Sequence, residues 1–278
     1  MSKSVLTSLP QDWLVWIGEN LARSCDPHDM VETMVREGRF EWDFARNAID
    51  EASGGKIALS KQPMPDINTS SNRISTSDRV VDVLLTVNAP RIVLLGNVLS
   101  VEECDSLVAL CTSRLQRSPV VDDGDGSTQV HVSRTSQGAM LQRGETPLVA
   151  RIEARLAELA SWPVKRAEGL QIQQYQATNE YSPHFDWFDP DLPGPRRHME
   201  RGGQRLATFV LYLSEAESGG GTSFPLLGLE ALPKKGSAVF FKNTDNFHRP
   251  DRSTLHAGSP VVRGAKTIAN KWLRAGVY

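Results

Sequence analysis

The chain lacks a long hydrophobic run. Its richest apolar stretch, from Val80 to Leu99, is interrupted by Asp82, Asn88, Pro90, Arg91 and Asn97. Crossing a bilayer takes about 20 mostly apolar residues, so no membrane span is expected. No basic-then-apolar leader opens the chain, since Trp13-Leu14-Val15-Trp16-Ile17 is short and is followed by Glu19 and Asn20. An excess of one charge is lacking too: 31 Lys and Arg face 33 Asp and Glu, a net of −2. That balance speaks against nucleic acid or anionic lipid as a partner. Cysteine is scarce, with Cys25, Cys104 and Cys111 in no metal-site spacing. Cys104 and Cys111 are seven residues apart and suit one buried helix face better than a redox pair. A reducing, cytoplasmic compartment is the expectation. Internal repeats and charge blocks are absent, and 278 residues suffice for one sizeable domain plus a small one.

What is present divides the chain into three. Residues 1–51 read as a small helical domain. Asp12 is a candidate cap for a helix carrying Trp13, Trp16, Ile17 and Leu21, and Asp26-Pro27 reads as cap and first residue of a second helix. A third is expected from about Glu41 through Ile49. So small a bundle buries little core; it is either a stabilising cap or, the reading we favour, a docking module for a macromolecular partner. Residues 52–78, rich in Ser, Gly, Pro, Asn and Lys, read as a flexible linker. Residues 79–278 carry the chemistry. Ser100 with Glu103 forms a capping-box pattern for one helix, and Thr146-Pro147 opens another. From Leu170 onward strand patterns dominate, including the alternating Leu170-Gln171-Ile172-Gln173 and the apolar run Leu206 to Leu213. The fold class is α+β: two packed antiparallel sheets in a jelly-roll barrel with bracing helices.

The stretch Tyr181-Ser182-Pro183-His184-Phe185-Asp186 is aromatic-rich and suits a strand. On a strand, His184 and Asp186 project from one face and can share an ion. A later strand can add His256. Two imidazoles and one carboxylate on one side of a metal leave the other positions open, the facial arrangement of non-haem Fe(II) oxygenases. A His-x-Asp pair alone is a weak pattern, and a surface histidine beside a solvated acid is its plain alternative. Lys266 follows His256 by ten residues, across Val262-Arg263-Gly264, which reads as a tight turn between two strands. A buried cation there suits a dicarboxylate whose other end chelates the metal.

At this point the sequence resembles the prolyl 4-hydroxylase branch of the 2-oxoglutarate- and Fe(II)-dependent dioxygenases. The likeness spans about residues 90 to 273 and rests on separate pieces in order. They include Pro90-Arg91-Ile92-Val93, Arg134-Thr135-Ser136-Gln137-Gly138, Glu168-Gly169-Leu170-Gln171 and the His-x-Asp block. Gly202-Gly203-Gln204-Arg205, Gly220-Gly221-Thr222-Ser223-Phe224-Pro225, His256-Ala257-Gly258 and Asn270-Lys271-Trp272 complete the set. Each piece is weak, and the ordered set is specific. Gly221 departs from the family's usual Glu and Ser259 from its frequent Cys; neither is a ligand position.

The resemblance implies a double-stranded β-helix in which His184, Asp186 and His256 hold Fe(II). It implies 2-oxoglutarate chelated to that ion and O2 as the second co-substrate, with ascorbate as reductant. Lys266 matches the lysine that pairs with the far carboxylate, and Tyr175 the tyrosine that joins it. Taken on the residues alone, an exposed hairpin lysine and a barrel-core aromatic remain open for these two. Trp272 is expected to wall the pocket. Arg134, Ser136, Glu168, Tyr181 and Arg205 match positions near a peptide substrate, although Glu168 and Arg205 equally fit a simple mutual pair. Asp122 to Ser127, with Arg134 to Gly138, is expected to form a covering loop. The implied reaction is hydroxylation at C4 of prolyl residues in a peptide or protein. Hydroxylation of another residue or a free amino acid, a non-catalytic binding protein and a zinc hydrolase remain alternatives. Among the other histidines, His248 is the rival to His256, and lacking the Gly-x-Pro-Val context that follows His256, it is rejected.

Overall fold

The computed structural model describes residues 4–55, 62–117, 119–121, 128–130 and 136–278, the two three-residue stretches by backbone alone. They fall into two compact units, Met1–Gln62 and Pro63–Tyr278. Among the described residues, no helix is long and apolar enough to cross a membrane.

In the smaller unit, α1 (Gln11–Ala22), α2 (Pro27–Arg36) and α3 (Trp42–Ala52) gather around Ile17, Met30, Val31, Met34, Ala45, Ala48 and Ile49. The Asp26 carboxylate caps α2, accepting from the His28 amide at 2.7 Å, with Pro27 in the first turn. Asp12 does not cap α1. Pro10 occupies that position and Asp12 lies within the first turn, where an acid still favours the helix dipole.

The linker expected over 52–78 ends earlier than its composition suggests, because residues from Pro63 onward belong to the larger unit. Ile67 is buried in the core, and the Asp66 amide donates to Ala160 O at 3.0 Å. The Asp66 carboxylate meets Arg91 at 3.1 Å and Lys242 at 2.8 Å, while Asp78 pairs with Arg155. This segment carries few apolar residues and so no hydropathy pattern. Its polar groups are instead satisfied by distant cations, which a local reading does not reveal.

The strands, in chain order, are β1 (Arg73–Ser75), β2 (Val80–Val87), β3 (Ile92–Gly96), β4 (Gln116–Arg117), β5 (Pro119–Val121) and β6 (Thr128–Val130). Then come β7 (Gln137–Leu141), β8 (Ala167–Tyr175), β9 (Tyr181–His184), β10 (Arg205–Tyr212), β11 (Ser218–Gly219) and β12 (Thr222–Phe224). The last are β13 (Leu229–Ala231), β14 (Ala238–Lys242), β15 (His256–Gly258), β16 (Val261–Arg263) and β17 (Lys266–Arg274). A nine-stranded sheet has the order β1-β2-β3-β14-β10-β17-β8-β7-β4, and a four-stranded sheet the order β13-β12-β15-β9. All pairings are antiparallel.

Alternation along the central strands divides the core into two layers. On β10, Phe209 and Leu211 face one way, with Phe240 of β14 and Ile172 of β8. They pack with Cys104, Leu107 and Cys111 of α4 (Val101–Cys111) and with Ile152, Leu156 and Leu159 of α5 (Pro147–Leu159). Val210 and Tyr212 face the other way, toward the smaller sheet, with Tyr175, Val239, Phe241 and Ile268 against Phe224 and Ala231. Each such buried side chain contributes about 1.5–3 kcal/mol, so both faces of the large sheet hold the fold together. The capping box forms as the sequence suggests: Ser100 Oγ accepts from the Glu103 amide and Glu103 accepts from the Ser100 amide, at 3.1 and 3.0 Å. Thr146 caps α5 through the Val149 amide.

The turn expected at Val262-Arg263-Gly264 joins two strands, β16 and β17, but they do not pair as a hairpin. On either side of Gly264 (φ 84°), β16 pairs with β11, while β17 lies between β10 and β8 in the large sheet. That crossing between sheets sets Lys266, the first residue of β17, opposite Tyr175 of β8.

Candidate active site

β9 and β15 are adjacent, and His256 is the direct cross-strand partner of His184. Directly opposed residues of an antiparallel pair lie side by side, and the two rings sit 4.3 Å apart. The sequence pattern puts Asp186 on the strand with His184, but β9 ends at His184 and the bend that follows carries the carboxylate. It still reaches the same spot, with Oδ1 3.8 Å from His184 Nε2 and Oδ2 3.7 Å from His256 Nε2. Among the described residues, these three form the group of His, Cys, Asp or Glu donors close enough to share an ion, with ligand atoms within 4.8 Å of one another.

The donor chemistry fits a divalent first-row metal. His184 Nδ1 lies 2.9 Å from Ser182 O and His256 Nδ1 lies 3.1 Å from Thr254 O. A carbonyl only accepts, so each Nδ1 carries the hydrogen and each Nε2 offers a lone pair. Behind the acid, Thr208 Oγ1 donates to Asp186 Oδ2 at 2.7 Å, and Asn243 Nδ2 donates to Thr208 Oγ1 at 3.0 Å. Burial pushes the Asp186 carboxyl up, but the two imidazoles in their protonated form, the Arg205 cation and the Thr208 hydroxyl outweigh it and hold the group below its ordinary value. In the form that binds metal, two imidazole Nε2 lone pairs, one ionised carboxylate and an open side match the facial triad of non-haem iron sites.

These groups open into a cavity of about 590 Å³, within the range of small-molecule sites. Its far wall is β17 and β8 seen edge-on to the alternation: Lys266, Ile268, Asn270 and Trp272 on one strand, Gln171, Gln173 and Tyr175 on the other. Lys266 is buried, and its Nζ donates to Gly220 O. Burial pushes its ammonium down to about 8, with the Glu230 charge opposing the shift. The Tyr175 hydroxyl donates to Gln173 Oε1 at 2.9 Å, and its ring lies 4.8 Å from Lys266 Nζ. Gly221 is constrained by its neighbour: the Glu230 carboxylate occupies the space a Cβ would need.

The expected substrate residues divide. Tyr181 stacks on His184 with ring centres 3.6 Å apart. Glu168 and Arg205 line the cavity and also pair with each other, the Arg205 Nε and Nη2 donating to the two carboxylate oxygens at 2.6 and 2.9 Å. Both roles left open by the sequence are therefore compatible. Arg274, not anticipated, adds a third member by donating to Glu168 at 2.7 Å. The Arg205 guanidinium stacks 3.7 Å from the Trp272 ring, which places Trp272 as a wall. Ser136 is buried ahead of β7 and is not among the residues lining the cavity. Arg134, His131 and 122–127 of the expected covering loop lie outside the described residues. His248 Nε2 sits 3.1 Å from Pro63 O, outside the three-donor group, and His198 stacks on Phe188.

Thr208 and Asn243 are absent from the sequence reading, and Gln171, Gln173 and Asn270 enter it only within motifs, with no site role. Alternation around Tyr175 and Lys266 is a signal that finds the last three; nothing local distinguishes Thr208 within an apolar strand.

Fold and donor set together define an Fe(II)- and 2-oxoglutarate-dependent oxygenase. The sequence profile of the 2OG-Fe(II) oxygenase superfamily matches residues 170–274. The probable prolyl 4-hydroxylase 3 of Arabidopsis thaliana is 35% identical over 208 residues, covering 68% of this chain and 71% of its own. The prolyl 4-hydroxylase subunit alpha-1 of Gallus gallus is 39% identical over 184 residues, 66% of this chain and 36% of that one. Among solved structures, the viral collagen prolyl hydroxylase of Paramecium Bursaria Chlorella virus-1, in its 2OG complex, is 30% identical. That likeness has a TM-score of 0.52 and covers 66% of this chain and 95% of that one. The chain belongs to the prolyl 4-hydroxylase family of 2-oxoglutarate- and Fe(II)-dependent dioxygenases.

Proposed function

We propose that the chain hydroxylates prolyl residues of a peptide or protein at C4, consuming 2-oxoglutarate and O2 and releasing succinate and CO2. The observation that carries the reading is the placement of a buried ammonium, Lys266, on the wall of the cavity that also holds the three-donor set. Among the described residues, Lys266 has no carboxylate within ion-pair distance, and its hydrogen bond is to a carbonyl. A buried cation left in that state is costly, and a small diacid relieves the cost at one end while chelating metal at the other.

In this reading His184, Asp186 and His256 hold Fe(II), Lys266 and Tyr175 bind the distal carboxylate, and Trp272 closes the wall. Tyr181, Glu168 and Arg205 face the peptide, with Arg134 assigned to the same role by resemblance; Ser136, buried outside the cavity wall, is left out of it. Bound Fe(II) and 2-oxoglutarate supply the oxidising chemistry, one oxygen atom of O2 ending in succinate and the other in the new hydroxyl. The protein's contribution is placement and exclusion of water, for which Phe224 and Phe241, packed beside His256, provide an apolar backing. Ascorbate serves as reductant between turnovers. The smaller helical unit is assigned as a docking module.

Mass spectrometry of proline-containing peptides incubated with the protein, Fe(II), 2-oxoglutarate and O2 tests the reading. A gain of one oxygen on proline, matched by succinate, is the expected result. Oxygen on another residue, or only on a free amino acid, points to the alternative substrate class. Absence of succinate under all conditions points to a binding protein.

A further inference from the structure

Among the described residues, six charged side chains line the cavity: Glu168, Asp186, Asp189, Arg205, Arg252 and Lys266. All but Arg252 are accounted for. Asp186 belongs to the three-donor set, Lys266 awaits the diacid, and Glu168 and Arg205 neutralise each other. Asp189 accepts from the Asp191 amide at 3.0 Å. Arg252 is different: among the described residues no hydrogen bond or ion pair engages its guanidinium.

The immediate surroundings explain why it is left over. Arg252 opens a single helical turn, Arg252–Thr254, four residues before His256. The acid beside it, Asp251, spends its carboxylate on the Ser253 amide and hydroxyl, capping that turn. The Asp251 carbonyl accepts from Trp187 Nε1 at 3.3 Å, tying the turn to an aromatic shelf. On that shelf Phe185 and Trp187 stack 4.5 Å apart, and the Arg252 guanidinium lies 5.9 Å from the Trp187 ring. Both aromatics belong to the chain leading out of His184, so the shelf and its cation flank the metal donors. The other arginines of this region do not compete for the role. Arg196 donates to Pro190 O at 3.0 and 2.8 Å, and neither it nor Arg197 lines the cavity.

A planar guanidinium at a cavity mouth, braced on a ring face and lacking an acid, matches a carboxylate brought in by the substrate. We propose that Arg252 is a specificity-determining residue that pairs with an acidic side chain close in sequence to the target residue of the peptide. The aliphatic part of that side chain rests on the Phe185–Trp187 shelf. This rests on the prolyl-peptide reading above and narrows it to acidic-flanked sites.

The test uses the full chain and a set of otherwise neutral peptides in which Glu or Gln stands at each position near one proline. At one position Glu is expected to raise kcat/KM over Gln by roughly fivefold, the scale of a partly exposed ion pair, and added salt should shrink the ratio. Arg252→Met should bring the ratio to about one, and Arg252→Glu should reverse it in favour of Lys at the same position. A ratio near one at every position in the unmodified protein overturns the inference, as does a Glu preference that survives in Arg252→Met. Hydroxylation of the neutral peptides checks the underlying reading separately: turnover without discrimination leaves that reading intact and sinks this one. If no peptide is hydroxylated, both fall.

Discussion

Thr208 donates its hydroxyl proton to Asp186 Oδ2 across 2.7 Å, from a position on β10 with no exposure to solvent. Asn243, equally buried, donates in turn to the Thr208 oxygen. The bond occupies one lone pair of Oδ2 and fixes the carboxylate plane, so the acid meets the metal in one orientation. Such supporting bonds are worth about 10- to 100-fold in metal affinity. Thr208→Val, nearly the same shape without the hydroxyl, should weaken Fe(II) binding by that order in a direct metal titration while the fold persists.

Lys266 gives a pH signature whose sign follows from its form. Burial holds its ammonium down to about 8, and the protonated form is the one that pairs with a carboxylate. Below that value the cation is in place and 2-oxoglutarate affinity is flat with respect to this group. As pH rises through it, the free protein loses the charge, and affinity should fall about tenfold per pH unit. Lys266→Met should bind the co-substrate poorly at every pH and lose this alkaline fall, as measured by the KM for 2-oxoglutarate across the range.

Glu168 is shared by Arg205 and Arg274 in a buried cluster. Burial opposes its charge, but the two guanidinium groups prevail and hold the carboxyl below its ordinary value. Glu168→Gln removes the anion and leaves two cations facing each other. A loss of about 3–5 kcal/mol is expected, seen as a lower urea midpoint. The KM for the peptide should rise, whereas the KM for 2-oxoglutarate should hold.

A stability change without a functional one is expected at α4. Ser100→Ala breaks the capping box while leaving every cavity residue in place. Stability should drop by about 1 kcal/mol, and kcat at moderate temperature should not change.

Much of this arrangement is legible in the sequence. The ordered motifs single out His184, Asp186, His256 and Lys266, which line one cavity, and caps at Ser100, Asp26 and Thr146 mark helix starts. What escapes depends on distance along the chain. Residues 63–78 resemble a linker because their binding partners, Arg91, Arg155 and Lys242, lie far away. A glycine turn at 264 looks the same whether it closes a hairpin or carries the chain from one sheet to another. Thr208 is a bland β-branched residue in an apolar strand until Asp186 folds over it. Arg252 is an ordinary exposed arginine until its neighbours' acids are found to be occupied elsewhere.

Metal and diacid sharing one cavity make 2-oxoglutarate binding depend on divalent metal, which a titration with and without the metal under anaerobic conditions measures. Strong binding is expected only when metal is present, with the metal-dependent gain lost in His184→Ala and the affinity sharply reduced in Lys266→Met. Equal 2-oxoglutarate affinity with and without metal, or a metal-dependent gain that survives in His184→Ala, would contradict the shared cavity.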